Sequence, residues 1–297
     1  MPPSISSAAD AERRSESIQN QHGVLTSADG TCLFYRYWPA KVSNDRVVLV
    51  LHGIGYESGP YHVVADALNP RGIGVYGLDA RGHGLSCGPR DRIGTPDQLA
   101  QDVSAMANFI RAQHPRAKLF LVNDSMGCNF ALDYAKDHGD QLGGVVLLAP
   151  PFEISSKQVF QLNTLLLLPY ILFSHHTAVI NLVGHRLDQS SRDAQFIADR
   201  RSDPLAYKKV SFSYLLGIRR LTRGWRRGIA PQFRTPLLVV QGRKDKVVNQ
   251  KDVLAFERQA AVSDKRLETY PDVYHTTLWD PKTPEILKSV GDWILAH

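Results

Sequence analysis

Cysteine is scarce in this chain. Cys32, Cys87 and Cys128 are the only three in 297 residues, and they follow no regular spacing. An odd, irregular set argues against a disulfide framework or a structural zinc site, and for a reducing compartment. Long hydrophobic runs are also missing. The longest, Leu165 to Phe173, is interrupted by Pro169 and is too short to span a bilayer. Residues 1–18 are polar, carry Asp10, Glu12, Arg13, Arg14 and Glu16, and have no apolar centre of a secretory signal. They are expected to form a flexible N-terminal tail on a cytoplasmic protein. There is no internal repeat, and no His-X-His-X-Asp-His cluster such as a metal-dependent lactonase needs, so neither metal nor cofactor is expected. The formal charge is only +6 and is uneven. Much of the excess lies in Arg219-Arg220-Leu221-Thr222-Arg223-Gly224-Trp225-Arg226-Arg227. Such a run is a solvated basic face or a surface attracted to anionic membranes or acidic substrates; nucleic acid is not an expected partner.

What the chain does have is alternation. Gly23–Thr26 and Cys32–Trp38 read as strands around Asp29-Gly30. Arg46–Leu51, Gly74–Leu78, Leu119–Val122, Gly144–Ala149, Leu237–Gln241 and Arg266–Tyr270 are further strands, several of them unbroken apolar runs typical of strands covered on both faces. Helices fall between them at Tyr61–Asn69, from Thr95-Pro96 to His114, after Ser125, at Gln250–Ala260 and at Pro284–Ala296. This pattern predicts an α/β fold: a mostly parallel twisted sheet with helices on both faces. Residues 152–227 interrupt it with helical stretches and no clear strand. They read as a helical cap inserted after a central strand, with 19–151 and 228–297 as the core.

The chain is organised around Leu119-Phe120-Leu121-Val122-Asn123-Asp124-Ser125-Met126-Gly127-Cys128. A buried strand runs into a tight turn with Ser125 at its apex, and a helix follows. Such a turn exposes the serine oxygen and aims the first helical N–H groups at negative charge beside it. About one or two Ser-X-Gly matches are expected by chance here, and Ser86-Cys87-Gly88 is one. It lacks a preceding strand. On its own Ser125 is equally well read as a helix cap. A nucleophilic serine also needs a base, and an acid to orient that base, from loops at the carboxyl ends of strands. Asp245 follows Leu237–Gln241, and His275 follows Arg266–Tyr270. Glu153 is a rival acid and His297 a poor rival base. The N–H groups of Met126, and of Ile54 within His52-Gly53-Ile54-Gly55, are the candidate oxyanion donors.

These pieces, with Asp79-Ala80-Arg81-Gly82-His83-Gly84-Leu85-Ser86, Gln241-Gly242-Arg243-Lys244-Asp245 and Tyr274-His275, resemble the α/β-hydrolase superfamily, and within it the monoacylglycerol lipase and lysophospholipase-like group. The resemblance runs from about Gly23 to the end, leaving out the cap. It implies the α/β-hydrolase fold, Ser125, Asp245 and His275 as nucleophile, acid and base, Ile54 and Met126 as oxyanion donors, and Asp79–Ser86 as a structural loop. Two departures stand out. Asn123 occupies the place where the group usually has glycine two residues before the nucleophile, so the turn is either shifted or braced by an asparagine hydrogen bond. Tyr56-Glu57-Ser58 follows Gly55 where Glu-His is common.

The expected activity is that of a serine esterase or lipase acting through an acyl-enzyme on apolar, lipid-like esters such as monoacylglycerols or lysophospholipids. The apolar stretch Val159–Phe173 is expected either to pack on the core or to form an acyl pocket or lid with peripheral membrane contact. Two other readings are carried: a peptidase of the same fold taking small amino-terminal residues, which needs an acidic pocket for the amine, and a non-catalytic ligand-binding member of the fold.

Overall fold

The computed structural model describes residues 2, 4–152, 176–181, 190–222 and 228–297. The strands β1 (Gln21–Thr26), β2 (Cys32–Trp38), β3 (Arg46–Leu51), β4 (Ile73–Leu78), β5 (Lys118–Asp124), β6 (Gly144–Leu148), β9 (Leu237–Gly242) and β10 (Lys265–Tyr270) form one sheet in the order β1-β2-β4-β3-β5-β6-β9-β10. Strands β1 and β2 pair antiparallel, as do β2 and β4; every other pairing is parallel. The apolar runs explain why. Val47, Leu49 and Leu51 face one core layer while Val48 and Val50 face the other. The same alternation holds for Leu121 against Val122, Leu147 against Val146, and Val239 against Val240. A period of two with apolar residues on both sides demands helices on both sides.

On one face lie α3 (Pro96–Gln113), α4 (Gly127–His138) and α7 (Gln250–Gln259), through Val103, Met106, Phe130 and Phe256 among others. On the other lie α2 (His62–Leu68) and α8 (Thr283–Ala296), through Val64, Leu68, Ile286 and Trp293. Helix α3 starts as its sequence dictates. The Thr95 hydroxyl accepts from Gln98 N–H, the Gln98 side chain returns to Thr95 N–H, and Pro96 takes the first turn.

Three features differ from the sequence reading. Within residues 1–18, Ala8–Ser15 forms a helix, α1, capped by Ser7 accepting from Asp10 N–H. Ile5 and Ala11 are buried against Cys32, Phe34 and Leu85; two small apolar groups in a polar segment are too few to register as a pattern. Between the sheet's two halves, β7 (Ala178–Asn181) and β8 (Lys209–Ser211) pair antiparallel, where no strand was expected. They accompany helices α5 (Ala194–Ser202) and α6 (Phe212–Thr222). All of Val159–Phe173 and the Arg223–Arg227 part of the basic run lie outside the described residues; Arg219 and Arg220 sit in the last turn of α6.

The third difference is the cysteines. Cys32 and Cys87 form a disulfide with 5.1 Å between their Cα atoms, and Cys128 is free and buried. The count of three concealed this pair because the loop after β4 folds back along β2: Cys87 N–H donates to Cys32 O at 2.8 Å, and Phe34 N–H to Ser86 Oγ at 2.8 Å. Sequence separation, here 55, carries no trace of that return. The bond removes the support the cysteine count lent to a reducing, cytoplasmic placement. Closing a loop of that length contributes up to about 4 kcal/mol. Reductant, or Cys32→Ser, is therefore expected to lower the melting midpoint by several degrees, and unfolding without reductant should expose a single reactive thiol. Three thiols and an unmoved midpoint would contradict the pairing. No helix among the described residues is long and apolar enough to cross a membrane.

Candidate active site

Strand β5 ends at Asp124 and α4 begins at Gly127, leaving Ser125 and Met126 as the whole turn. Ser125 holds φ at +48°, a left-handed conformation an L-residue adopts only where its surroundings enforce it. Here Ser125 N–H donates to Leu148 O at 2.9 Å, and Cys128 N–H to Ser125 O at 3.0 Å. A Cβ on Gly127 would stand 2.1 Å from Leu51 O, so only glycine lets the helix start this close to β3. Asn123 needs no glycine in its place. It continues the strand, pairing with Leu51 and Leu147, and its Nδ2 donates to Val146 O at 2.9 Å. Of the two outcomes open at sequence level, the turn is braced.

The two other loops converge on it. His275 Nε2 lies 2.9 Å from Ser125 Oγ, and His275 Nδ1 lies 2.9 Å from Asp245 Oδ2. A Cβ on Gly242 would strike Val273 O at 2.3 Å, so glycine lets β9 close on the segment before His275. Asp245 is further held by Gln241 Nε2 at 3.0 Å and by the N–H groups of Val247 and Val248 at 2.7 and 2.9 Å. The side chains of Ser125, His275 and Asp245 are all buried. Burial alone pushes the His275 pKa down, but the Asp245 carboxylate outweighs it and leaves His275 above its ordinary value. Burial pushes Asp245 up, and the imidazole and N–H donors bring it below the usual carboxylate range. The two shifts describe one interaction and agree in sign.

The loop after β3 overlies Ser125. A Cβ on Gly53 would lie 3.4 Å from Ser125 Cβ. His52 Nδ1 bonds Gly53 O at 2.8 Å while its Nε2 accepts from Ala80 N–H at 3.0 Å, which requires a neutral ring; burial lowers its pKa accordingly. Gly55 O accepts from Tyr207 N–H at 2.9 Å and from Arg200, whose guanidinium lies 4.0 Å over the Tyr56 ring. On the far side, Thr276 N–H and Oγ1 both reach Ser190 O at 3.0 Å. Residues of the interrupting segment thus clamp both the Gly53–Gly55 loop and the His275 loop. None of these carries a sequence signal, because each works through a backbone carbonyl.

The remaining candidates fall elsewhere. Ser86 is fully buried, accepting from Phe34 N–H and donating to Asp79 O. Asp79 accepts from Ser58 and Leu85 N–H at 2.7 and 2.8 Å, so the Asp79–Ser86 loop is held as a structural unit. His297 bonds Asp264 and Trp293 O at the end of α8. Glu153 is outside the described residues. Among the described residues no group of side chains could hold a metal ion.

The family profile described as serine aminopeptidase, S33, matches residues 42–282, a span that includes the Gly53–Gly55 loop, Ser125, Asp245 and His275. The chain belongs to the serine aminopeptidase S33 family. Curated relatives of this S33 chain include the monoacylglycerol lipase of Mycolicibacterium smegmatis, 25% identical over 95% of this chain and 99% of that one. They also include the human monoglyceride lipase, 29% identical over 90% and 86%. Among solved structures, a soluble variant of the Saccharomyces cerevisiae monoglyceride lipase in complex with a substrate analog superposes with a TM-score of 0.80 at 18% identity, covering 98% of both chains. The Paleococcus ferrophilus monoacylglycerol lipase superposes at 0.75 with 22% identity, over 89% of this chain and 99% of that one. These likenesses establish the α/β-hydrolase fold for the S33 chain.

Proposed function

We infer that this protein is a serine-dependent carboxylic ester hydrolase acting on lipid-like esters such as monoacylglycerols or lysophospholipids. The observation that carries the reading is the hydrogen-bonded line from Ser125 through His275 to Asp245, 2.9 Å at each step. Ser125 Oγ attacks the ester carbonyl as His275 Nε2 takes its proton, and Asp245 stabilises the resulting imidazolium. The N–H groups of Ile54 and Met126 receive the oxyanion, each donor contributing roughly 3–4 kcal/mol. His275 returns the proton to the leaving alcohol, and water then releases the acid from the acyl-enzyme by the same route in reverse. Curated relatives aligned over nearly their whole lengths are named for monoacylglycerol hydrolysis, which favours a single long acyl chain. Residues 152–227 act as the cap, and their apolar and basic stretches provide peripheral membrane contact.

One observation favours an amidase reading. A cavity of about 500 Å³ is lined by Glu57, Asp193, Asp199 and Asp203, together with Arg200 and His62. An amine would find acid there. Each carboxylate is already engaged, however: Glu57 with Arg36, Asp193 as a helix cap, Asp199 with Gln195 and Asp203 with Leu205 N–H.

The test is a fluorophosphonate label on wild type and Ser125→Ala, followed by p-nitrophenyl esters of rising chain length, a monoacylglycerol, a lysophospholipid and an aminoacyl amide. Labelling confined to wild type, and kcat/KM rising with acyl length, are expected. An unlabelled wild type sinks the catalytic reading. Equal cleavage of short and long esters, with no binding to anionic vesicles, sinks the lipid reading. Preference for the amide makes it a peptidase.

A further inference from the structure

One charged group at the nucleophile's turn has no part in the mechanism so far. Asp124 immediately precedes Ser125, closes β5, and is 4% exposed. A carboxylate buried there is costly unless something uses it. Its Oδ2 accepts from the Tyr61 hydroxyl at 2.7 Å, and the same hydroxyl oxygen accepts from Gly53 N–H at 2.9 Å. A phenol has one proton. With that proton directed to Asp124, the lone pairs face Gly53, so the carboxylate sets the polarity of the whole chain from N–H through O–H to carboxylate. Tyr61 is fully buried and edge-on to Trp279, and has no room to turn away. Gly53 is wedged against this device: a Cβ there would meet Asp124 Oδ2 at 3.0 Å. The next N–H along the chain is that of Ile54. Further ties on this loop run from His52 and Tyr56 within it, from Ala80 N–H, and from Tyr207 and Arg200 of the interrupting segment. The Tyr61–Asp124 tie joins it to the turn that carries Ser125.

We propose that Asp124 and Tyr61 are positioning residues that lock the Gly53–Ile54 backbone to the nucleophile's own turn, holding the Ile54 N–H and the Ser125 oxygen at a fixed separation. This rests on the serine-hydrolase reading above. The charge on Asp124 has a second consequence. The titratable groups that face it are Tyr61, His275 and Asp245, with Tyr56 and Cys128 also within its field. Burial, reinforced by Asp245, pushes the Asp124 pKa up to about 6. Above that pH its negative charge favours a proton on His275, and so favours the imidazolium that forms as Ser125 attacks.

The experiment compares Tyr61→Phe, Asp124→Asn and the double variant with wild type on one p-nitrophenyl ester across pH. Tyr61→Phe is expected to lower kcat by about 10- to 100-fold, as small misplacements of catalytic groups do, with KM within about twofold. Asp124→Asn removes charge at constant shape and is expected to move the acid limb of kcat/KM to lower pH. The double variant should be no worse than the poorer single one, because the two side chains act as a unit. Melting midpoints and complete, if slower, fluorophosphonate labelling show that Ser125 and His275 remain assembled. Should Asp124→Asn fail to fold, Tyr61→Phe alone decides through its split between kcat and KM. The proposal is overturned by kcat within twofold of wild type in both single variants, by a loss confined to KM, or by losses that multiply independently. A wild type that neither turns over esters nor takes the label overturns the serine-hydrolase reading itself, whereas normal turnover in the variants overturns only the positioning role.

Discussion

Ser125→Ala is expected to lower kcat/KM for ester hydrolysis by on the order of 10⁵- to 10⁶-fold while leaving the fold in place. The substitution removes one oxygen and nothing else that the turn depends on. The turn is fixed by backbone bonds from Ser125 N–H to Leu148 O and from Cys128 N–H to Ser125 O. Alanine in the left-handed region is already tolerated in this chain, since Ala149 holds the same φ of +48°. The melting midpoint should therefore move little. What survives is the rate supplied by binding and the oxyanion donors with water in place of the serine. Turnover in Ser125→Ala above about a hundredth of wild type, at levels no contaminant explains, would falsify the assignment of Ser125 as nucleophile.

Asp245→Asn is the second large effect, on the order of 10⁴-fold in kcat. Asp245 Oδ2 accepts from His275 Nδ1 and leaves Nε2 free to take the serine proton. An amide at 245 can instead donate to Nδ1, which places the ring proton on Nε2, the wrong nitrogen for a base. The pH dependence follows in sign. His275 must be neutral to accept the proton, and in wild type its pKa lies above the ordinary value because of Asp245. Activity therefore rises with pH through a point above about 6.5. Asp245→Asn removes the attraction and leaves burial, which lowers the His275 pKa, so the limb moves to lower pH as kcat falls. Stability takes the opposite course for the two partners. The depressed Asp245 carboxyl stabilises the fold above its unfolded pKa, and that stability is lost as pH falls through its folded pKa. The raised His275 stabilises it below its unfolded pKa, and that stability is lost as pH rises through its folded pKa. A limb that stays in place in Asp245→Asn, with kcat within tenfold of wild type, would mean that another carboxylate orients the imidazole.

How much of this is legible in the sequence depends on how local each signal is. The runs Arg46–Leu51, Gly144–Leu148 and Leu237–Gly242 are strands in the structure within a residue of their apolar boundaries. Burial on both faces leaves no polar residue to blur the edges. Helix α3 begins where Thr95 and Pro96 say it must. The short pair β7 and β8 was not legible, because strands of three and four residues hold too few positions to show a period. Nor was α1, whose burial rests on Ile5 and Ala11 alone. At the site, Asn123 in the usual glycine position left a shifted and a braced turn both open, and the brace is what forms, because the side-chain amide reaches a carbonyl on the neighbouring strand. Asp124 was in plain view beside Ser125, and a charge ending a buried strand was the signal that could have singled it out.

By itself the sequence determined the sheet, the helices around it, and the order in which a hydroxyl, a carboxylate and an imidazole follow three separate strands. Those are consequences of local pattern: period, caps, and residues just past a strand's end. Only the tertiary structure decided that the three meet within hydrogen-bond reach, that Cys32 lies against Cys87, and that Asp124 reaches Gly53 through Tyr61. Each of these joins residues far apart in the chain through a contact of about 3 Å or less, and spacing along a sequence carries no record of a distance across a fold.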